Sequence, residues 1–327
     1  MIGFILALAI GLVALVKGAD IFVDGSVALA RRFRVPSVII GLTIVAMGTS
    51  APELAVSVSA AINGANELAV SNVIGSNIFN LLAVLGICAL ICPVSVESAI
   101  IRRDLPLSLA AAAVVLLVSG GTARLFAGAA FGEHAGTVGR LAGAVLIAVF
   151  LGYTVVLLLS ARRNAAHEEP GTLEASAPQA RLFKALLLIL SGLALIIGGG
   201  QAVIYGARNL AAALGLSETL IGLTVVAVGT SLPELVTSIV AARKGESALA
   251  AGNAVGSCIF NMLLILGLSA LIRPIAVNLE TVYDLLILIL ASVLTLIFAF
   301  TGKTLKRGEG AVMLALYVAS VVFAAVR

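Results

Sequence analysis

Charge is what this sequence lacks most. Only 11% of its residues are charged and 61% are hydrophobic, with a mean hydropathy of +1.20, against roughly 25% charge in a soluble domain. That excludes a water-soluble globule and leaves an all-α polytopic membrane protein whose first partner is the lipid bilayer. Cysteine is nearly as scarce. Cys88, Cys92 and Cys258 all fall in apolar segments, where an oxidised framework has little to staple, so they read as reduced packing residues. Cys88 and Cys92 stand one helical turn apart, but no histidine accompanies them to complete a soft-metal site. Histidine occurs only as His134 and His167, both in expected loops. This supplies neither an intramembrane proton relay nor the metal cluster of an intramembrane hydrolase, and the chain is not read as an enzyme or as the holder of a resident cofactor. Glu67, Glu246, Glu168 and Glu169 read as solvated loop charges. The first apolar segment lacks a small-residue cleavage site and reads as a retained helix.

What is abundant is apolar runs long enough to cross about 30 Å of hydrocarbon at about 20 residues each. Ten are expected, near 3–30, 36–62, 68–91, 104–120, 141–161, 185–212, 217–242, 247–271, 283–301 and 309–326. With the N-terminus outside, fourteen of the twenty lysines and arginines fall in cytoplasmic loops, among them Arg31, Arg32, Arg34, Arg102, Arg103, Arg162, Arg163, Arg243 and Lys244. That bias places both termini outside. The net charge of +4 therefore reflects orientation in a membrane and gives no sign of nucleic-acid binding.

Residues 41–86 align without a gap to residues 222–267, with 26 identities in 46 positions. The same offset of 181 carries Gly18 onto Gly199 and Gly25 onto Gly206. Each half then holds five spans, and an odd number makes the second copy enter from the opposite side. The expected architecture is ten transmembrane helices as two inverted five-helix repeats, 1–161 and 185–327, joined by a cytoplasmic linker at 162–184. Inverted repeats mark secondary transporters with a site near the midplane where the halves meet.

Each repeat carries a glutamate in a span, in GTSAPE at 48–53 and GTSLPE at 229–234. Proline cannot donate to the carbonyl four residues back, so Pro52 frees Gly48 C=O and Pro233 frees Gly229 C=O. Such irregular backbone is tolerated at membrane depth only where it is buried in protein or lines a cavity. Glu53 follows Ser50 and Thr49 at three and four residues, on one helix face, as Glu234 follows Ser231 and Thr230. Carboxylate, hydroxyl and carbonyl oxygens are hard ligands suited to sodium and calcium. The next span of each repeat offers a polar stripe, Asn72, Ser76 and Asn80 in one and Asn253, Ser257 and Asn261 in the other, at i, i+4 and i+8. Gly75 and Gly256 permit close helix approach beside the stripes. Two carboxylates at one midplane site repel each other when empty, and a divalent cation neutralises both, so Glu53 reads as half of a calcium site. Lys17, Asp20 and Asp24 in the first span read as a structural ion pair of Lys17 with Asp20, and Arg208 as a helix anchor.

At these residues the chain resembles the sodium/calcium exchanger family of the cation/calcium antiporter superfamily, in its short prokaryotic form. The resemblance runs from KGADIFVDGSVALARRF through both G-T-S-x-P-E and both G-S-x-I-F-N motifs to the tenth span. It implies an antiporter that exchanges sodium for calcium by alternating access, exports calcium and sits in a prokaryotic inner membrane. It further implies that Glu53, Glu234 and the carbonyls of Thr49 and Thr230 hold calcium. Ser50, Ser231, Ser76, Ser257 and the carbonyls of Ala46 and Ala227 would complete sodium sites. Asn80 and Asn261 would line the centre, while the first and sixth spans slide against the rest. Some relatives carry aspartate at one central position; the asparagine pair here argues for potassium independence. A monomer is sufficient for such a site, and the sequence leaves the oligomeric state open. Two other readings stay in play. A proton-coupled calcium antiporter is separated only by the sodium-type serines, and a cation channel is disfavoured by inverted halves around a discontinuous site.

Overall fold

Lipid offers no hydrogen bonds to the main chain, so each apolar run closes its own backbone pairing as helix. The computed structural model describes residues 1–121, 134–167, 178–214 and 227–326. In chain order the elements are α1 (Ile2–Phe33), α2 (Ser37–Thr49), α3 (Ala51–Asn63), α4 (Glu67–Ile91), β1 (Val94–Ser95), α5 (Leu105–Val118), β2 (His134–Val138), α6 (Arg140–His167), α7 (Pro178–Ala213), α8 (Ala227–Thr230), α9 (Leu232–Arg243), α10 (Ser247–Ile272), β3 (Ile275–Asn278), α11 (Leu279–Gly302), β4 (Thr304–Leu305) and α12 (Arg307–Val326). Among the described residues seven helices, α1, α4, α6, α7, α10, α11 and α12, are long and apolar enough to cross a membrane, and α2 with α3 forms an eighth if that bent pair is one span.

Two of the ten expected spans look different. The span at 104–120 is a helix of 14 residues preceded by a π-helical turn, Ile100–Asp104, that carries Arg102 and Arg103. Of the span at 217–242, residues 217–226 lie outside the described residues. Helix runs into the polar linker from both sides, to His167 and from Pro178, and Glu168 and Glu169 lie outside the described residues. His134, expected in a loop, is in β2, which pairs antiparallel with β3, while β1 pairs with β4. These two-stranded ladders satisfy backbone between helices, a use of extended chain that hydropathy does not signal.

The helices are layered by burial. Four-fifths of the apolar window is covered in α4 and α10 (78% each), but only 22% in α1, 28% in α7 and 11% in α12. The surface is correspondingly apolar, with Leu141 81%, Phe300 76% and Ile2 77% exposed, whereas Glu53, Glu234, Asn80 and Asn261 are fully buried. Polar groups are gathered inside and hydrocarbon faces out, as a lipid solvent requires.

The outer pair α1 and α7 run antiparallel at backbone contact. A Cβ on Gly11 would lie 2.8 Å from the Gly199 carbonyl, one on Gly18 2.8 Å from Ile196 N, and one on Gly192 2.6 Å from Phe22 N. Gly11, Gly18 and Gly25 on α1, and Gly192, Gly199 and Gly206 on α7, recur every seven residues. That spacing keeps a side-chain-free seam facing the partner, the way small residues let membrane helices approach. The bent pair α2–α3 packs on α10 by the same device, since a Cβ on Gly256 would lie 2.7 Å from Leu42 Cα and one on Gly252 2.7 Å from Val38 O. Gly75 has no such neighbour within 4 Å, and Leu223, the repeat equivalent of Leu42, lies outside the described residues.

The ion pair expected between Lys17 and Asp20 is replaced. Lys17 is exposed, and Lys244, at the C-terminal end of α9, reaches Asp20 at 2.7 Å and Asp24 at 2.6 Å. Two carboxylates one turn apart, with a lysine arriving from another helix, form a better cluster than a same-helix neighbour at i+3. Buried Asp104 is held by Arg103 at 2.7 Å and by the Tyr153 hydroxyl at 3.1 Å, which fastens the start of α5 to α6.

The seam between α1 and α7 generates a paired test. Gly199→Leu forces a side chain into the Leu15 backbone and should cost about 1–3 kcal/mol, seen as a lowered thermal midpoint in detergent. Gly198→Leu, at a neighbouring position with nothing within 4 Å, should move the midpoint by less than about 0.5 kcal/mol equivalent.

Candidate ion-binding site

Each G-T-S-x-P-E motif breaks its helix at the serine. Ser50 has φ −83° and ψ 9°, and Ser231 has φ −94° and ψ 6°, both in the sparsely populated bridge region. The proline follows in the first turn of the new helix, where its missing N–H costs nothing. At Ser50 the axis bends by 49°. Glu53 and Glu234 therefore sit in the first turns of α3 and α9, near the positive ends of those helices. Thr49 and Thr230 close α2 and α8, whose last carbonyls carry the complementary negative end.

The break redirects the hydroxyls. Ser50 and Glu53, placed on one helix face by their spacing, each find a hydrogen-bond partner in the other repeat. Ser50 Oγ donates to Glu234 Oε1 at 2.7 Å, and Ser231 Oγ donates to Glu53 Oε1 at 2.8 Å. Each carboxylate is thus held by the serine of the other repeat. Ser76 Oγ adds a longer contact to Glu53 Oε1 at 3.4 Å and meets Ser231 Oγ at 3.0 Å. Ala46 C=O accepts from Ser50 N at 3.0 Å. Ala227 begins α8.

The polar stripes divide into two duties. Asn72 donates to Ser57 Oγ at 2.9 Å and to Glu53 O at 3.4 Å, and Asn253 matches it with Ser238 Oγ at 2.9 Å and Glu234 O at 3.3 Å. Asn253 Oδ1 also accepts from Thr49 Oγ1 at 3.1 Å. These asparagines brace the glutamate-bearing helices. Further along, Asn80 and Asn261 stand at equivalent places in two π-helical turns, Phe79–Val84 and Phe260–Ile265. Such turns are rare and are frequent at functional sites.

A cation ligand must have oxygen to spare. Glu53 Oε2, Glu234 Oε2, Asn80 Oδ1 and Nδ2, Asn261 Oδ1 and Ser257 Oγ are buried and have no protein partner among the described residues. Buried polar atoms are mostly paired. Six of the exceptions lie on the two carboxylates and the polar stripes around them, while the hydroxyls of Ser26, Ser108, Thr237 and Ser269 are further exceptions outside the stripes. Among the described residues no group of three histidine, cysteine, aspartate or glutamate side chains could hold a metal ion. Asn77 was not singled out from sequence. It joins this region from α4, and its only mark in the sequence is that G-S-N-I-F-N becomes G-S-C-I-F-N in the second copy.

Two buried carboxylates at helix breaks, each reached by a serine of the other repeat, lie inside the apolar exterior of a multi-span membrane protein. The chain belongs to the sodium/calcium exchanger protein family, whose model matches residues 3–159 and 184–326. It is 35% identical to the sodium/calcium exchanger MaX1 of Methanosarcina acetivorans, over 97% of both chains. It is 39% identical to the inner membrane protein YrbG of Escherichia coli, over 82% of this chain and 79% of that one. Its fold superposes on the solved sodium-calcium exchanger NCX_Mj with a TM-score of 0.83 at 29% identity, covering 100% of this chain and 99% of that one.

The bracing duty of the first asparagines predicts a ranking. Asn253 is fully buried with three hydrogen bonds, and Asn72 is half-buried with two. Each orphaned buried partner costs about 1–3 kcal/mol, so Asn253→Leu should lower thermal stability more than Asn72→Leu.

Proposed function

We propose that this chain exchanges sodium for calcium by alternating access and exports calcium, with Glu53 and Glu234 as the shared anionic centre. The observation that carries the reading is the reciprocal pair of contacts Ser50 to Glu234 and Ser231 to Glu53, with the second oxygen of each carboxylate free of protein partners. Calcium would lie between the carboxylates with the Thr49 and Thr230 carbonyls. Sodium would use Ser50, Ser76, Ser231 and Ser257 with the carbonyls of Ala46 and Ala227, and Asn80 and Asn261 would line the centre. Two ionised glutamates balance one calcium, and the hydroxyls and carbonyls leave room for a third sodium ion.

The architecture that fits this reading has ten membrane crossings, counting the short α5 and the bent units α2–α3 and α8–α9. The chain would divide into inverted halves 1–161 and 185–327 around a cytoplasmic linker at 162–184. The antiparallel course of α1 and α7, whose glycines match at the offset of 181, supports inversion. Lysine and arginine bias supports both termini outside, and the inner-membrane name of the Escherichia coli relative supports that location. Both carboxylates come from one chain, so a monomer suffices. The glycine-seamed pair α1–α7, little buried, is the element suited to slide. A proton-coupled antiporter is the rival reading, against which the serine-carboxylate contacts weigh. Vesicles with calcium flux driven separately by sodium, proton and potassium gradients separate the two. Sodium alone should drive it, and flux that follows protons and ignores sodium would replace this reading.

Glu53→Gln and Glu234→Gln should each abolish calcium exchange in protein that still inserts and folds, because a divalent ion then keeps an unbalanced charge in a site of low dielectric. Near-normal flux in either folded variant would remove that glutamate from the site.

With a third sodium ion each cycle moves one net charge, worth about 2.3 kcal/mol per 100 mV, which is more than tenfold in the calcium gradient. An inside-negative potential imposed on oriented vesicles should therefore accelerate sodium entry coupled to calcium exit. Sodium-driven flux indifferent to voltage would mean two-for-one exchange.

A further inference from the structure

The two central asparagines are related by the repeat but not by their surroundings. Asn261 Nδ2 donates to Asn77 Oδ1 at 3.0 Å, and Asn77 Nδ2 donates to the Cys258 backbone carbonyl at 3.1 Å. All three residues are fully buried. The direction of this relay is fixed from one end. A backbone carbonyl only accepts, so Asn77 must turn its amino group toward Cys258 and its oxygen toward Asn261. Asn261 must then present its amino group to Asn77, which leaves its own Oδ1, a buried atom without a protein partner, as the amide atom on the other side. The two ends of an amide are nearly equal in size and opposite in polarity. A flip would therefore exchange a cation ligand for a pair of donors that repel the cation.

Among the described residues nothing does the same for Asn80. The offset of 181 carries Asn77 onto Cys258, so the equivalent support for Asn80 would be the side chain of Cys258. That thiol makes the matching contact to the Asn77 backbone carbonyl, at 3.7 Å, but it has no carbonyl oxygen to offer Asn80, and both amide atoms of Asn80 are without a protein partner among the described residues. We propose that Asn77 is a positioning residue that locks Asn261 with its carbonyl oxygen toward the transported ion, and that the cysteine at 258 leaves Asn80 unlocked, so that the two halves of the central site are unequal. Asn261 is then an obligate oxygen donor, while Asn80 rotates to suit whichever ion is present.

The proposal rests on Asn261 facing the ions, as in the reading above, and a double-mutant cycle on calcium flux in reconstituted vesicles separates the two. Asn261→Ala and Asn77→Leu should each raise the KM for calcium by about tenfold with kcat largely kept, since a ligand dipole is lost or freed to turn. Combined, they should raise it no further than Asn261→Ala alone. A full additional loss in the double variant would make Asn77 a packing residue and overturn the proposal while the site stands. An unchanged KM in Asn261→Ala would overturn both. Cys258→Asn tests the same idea in the opposite direction and does not depend on a truncated Asn77. By giving Asn80 the support that Asn261 has, it should lower the calcium KM several-fold, and the gain should vanish in an Asn80→Ala background. No gain, or a gain that survives without Asn80, would overturn the proposal.

Discussion

An ionisable side chain in hydrocarbon costs at least about 2.5 kcal/mol on insertion scales, and this protein places two of them, Glu53 and Glu234, where neither touches lipid. Much of the rest of the architecture answers that cost. The helices are broken at Ser50 and Ser231 so that each carboxylate starts a new helix, where unpaired N–H groups and the helix dipole favour negative charge. The breaks expose backbone, which must itself be covered, and α4 and α10 lie innermost to cover it, with Asn72 and Asn253 donating to the carbonyls of the same glutamates. A glutamate thus requires a bend, the bend requires a polar bracing helix, and the bracing helix must be shielded from lipid by a further layer.

The exchange of serines between repeats adds a consequence that neither half has alone. Because Ser50 serves Glu234 and Ser231 serves Glu53, neither carboxylate keeps its full set of contacts if the halves part. Hydrogen bonds to a charged group are worth about 1.5–3 kcal/mol each, enough to make separation of the halves at this level unfavourable. Access to a site tied in this way is more readily changed at its flanks than at its centre, which directs attention to the outer pair α1–α7.

Much of this was legible in the sequence because the signal is a duplicated one. Glu53 and Glu234, the serines beside them and the two asparagine stripes stand out as residues no apolar span tolerates by accident, and proline marked the break. Which serine meets which glutamate was not legible. Spacing of three residues puts Ser50 and Glu53 on one face of a continuous helix and says nothing of a partner in the other half, which the Ser50 hydroxyl reaches at the helix break. The division of each stripe into a bracing asparagine and a central one was hidden for a related reason, since the π-helical turns at Phe79 and Phe260 alter the helical phase that i, i+4, i+8 spacing assumes. Asn77 and the partnership of Lys244 with Asp20 and Asp24 depend on contacts between segments about 180 to 220 residues apart, which no local pattern encodes.

In the sliding proposed above, the glycine seam would reconcile a tightly tied centre with movement. Alternating access by sliding needs a pair of helices that stays together yet glides over its neighbours. Backbone contact along three glycines on each of α1 and α7 binds the pair by close packing without interlocking side chains. Their other faces are largely apolar and little buried, so displacement along the membrane exchanges one set of dispersion contacts for a similar set. A directional polar contact from α1 to α9 is the partly exposed cluster of Lys244 with Asp20 and Asp24. Partly exposed ion pairs are worth little, about 1 kcal/mol or less, because water replaces the partner when they part. A carrier needs a centre that holds its geometry and a flank whose contacts are cheap to exchange, and the distribution of carboxylates, glycines and ion pairs along this chain separates those two requirements.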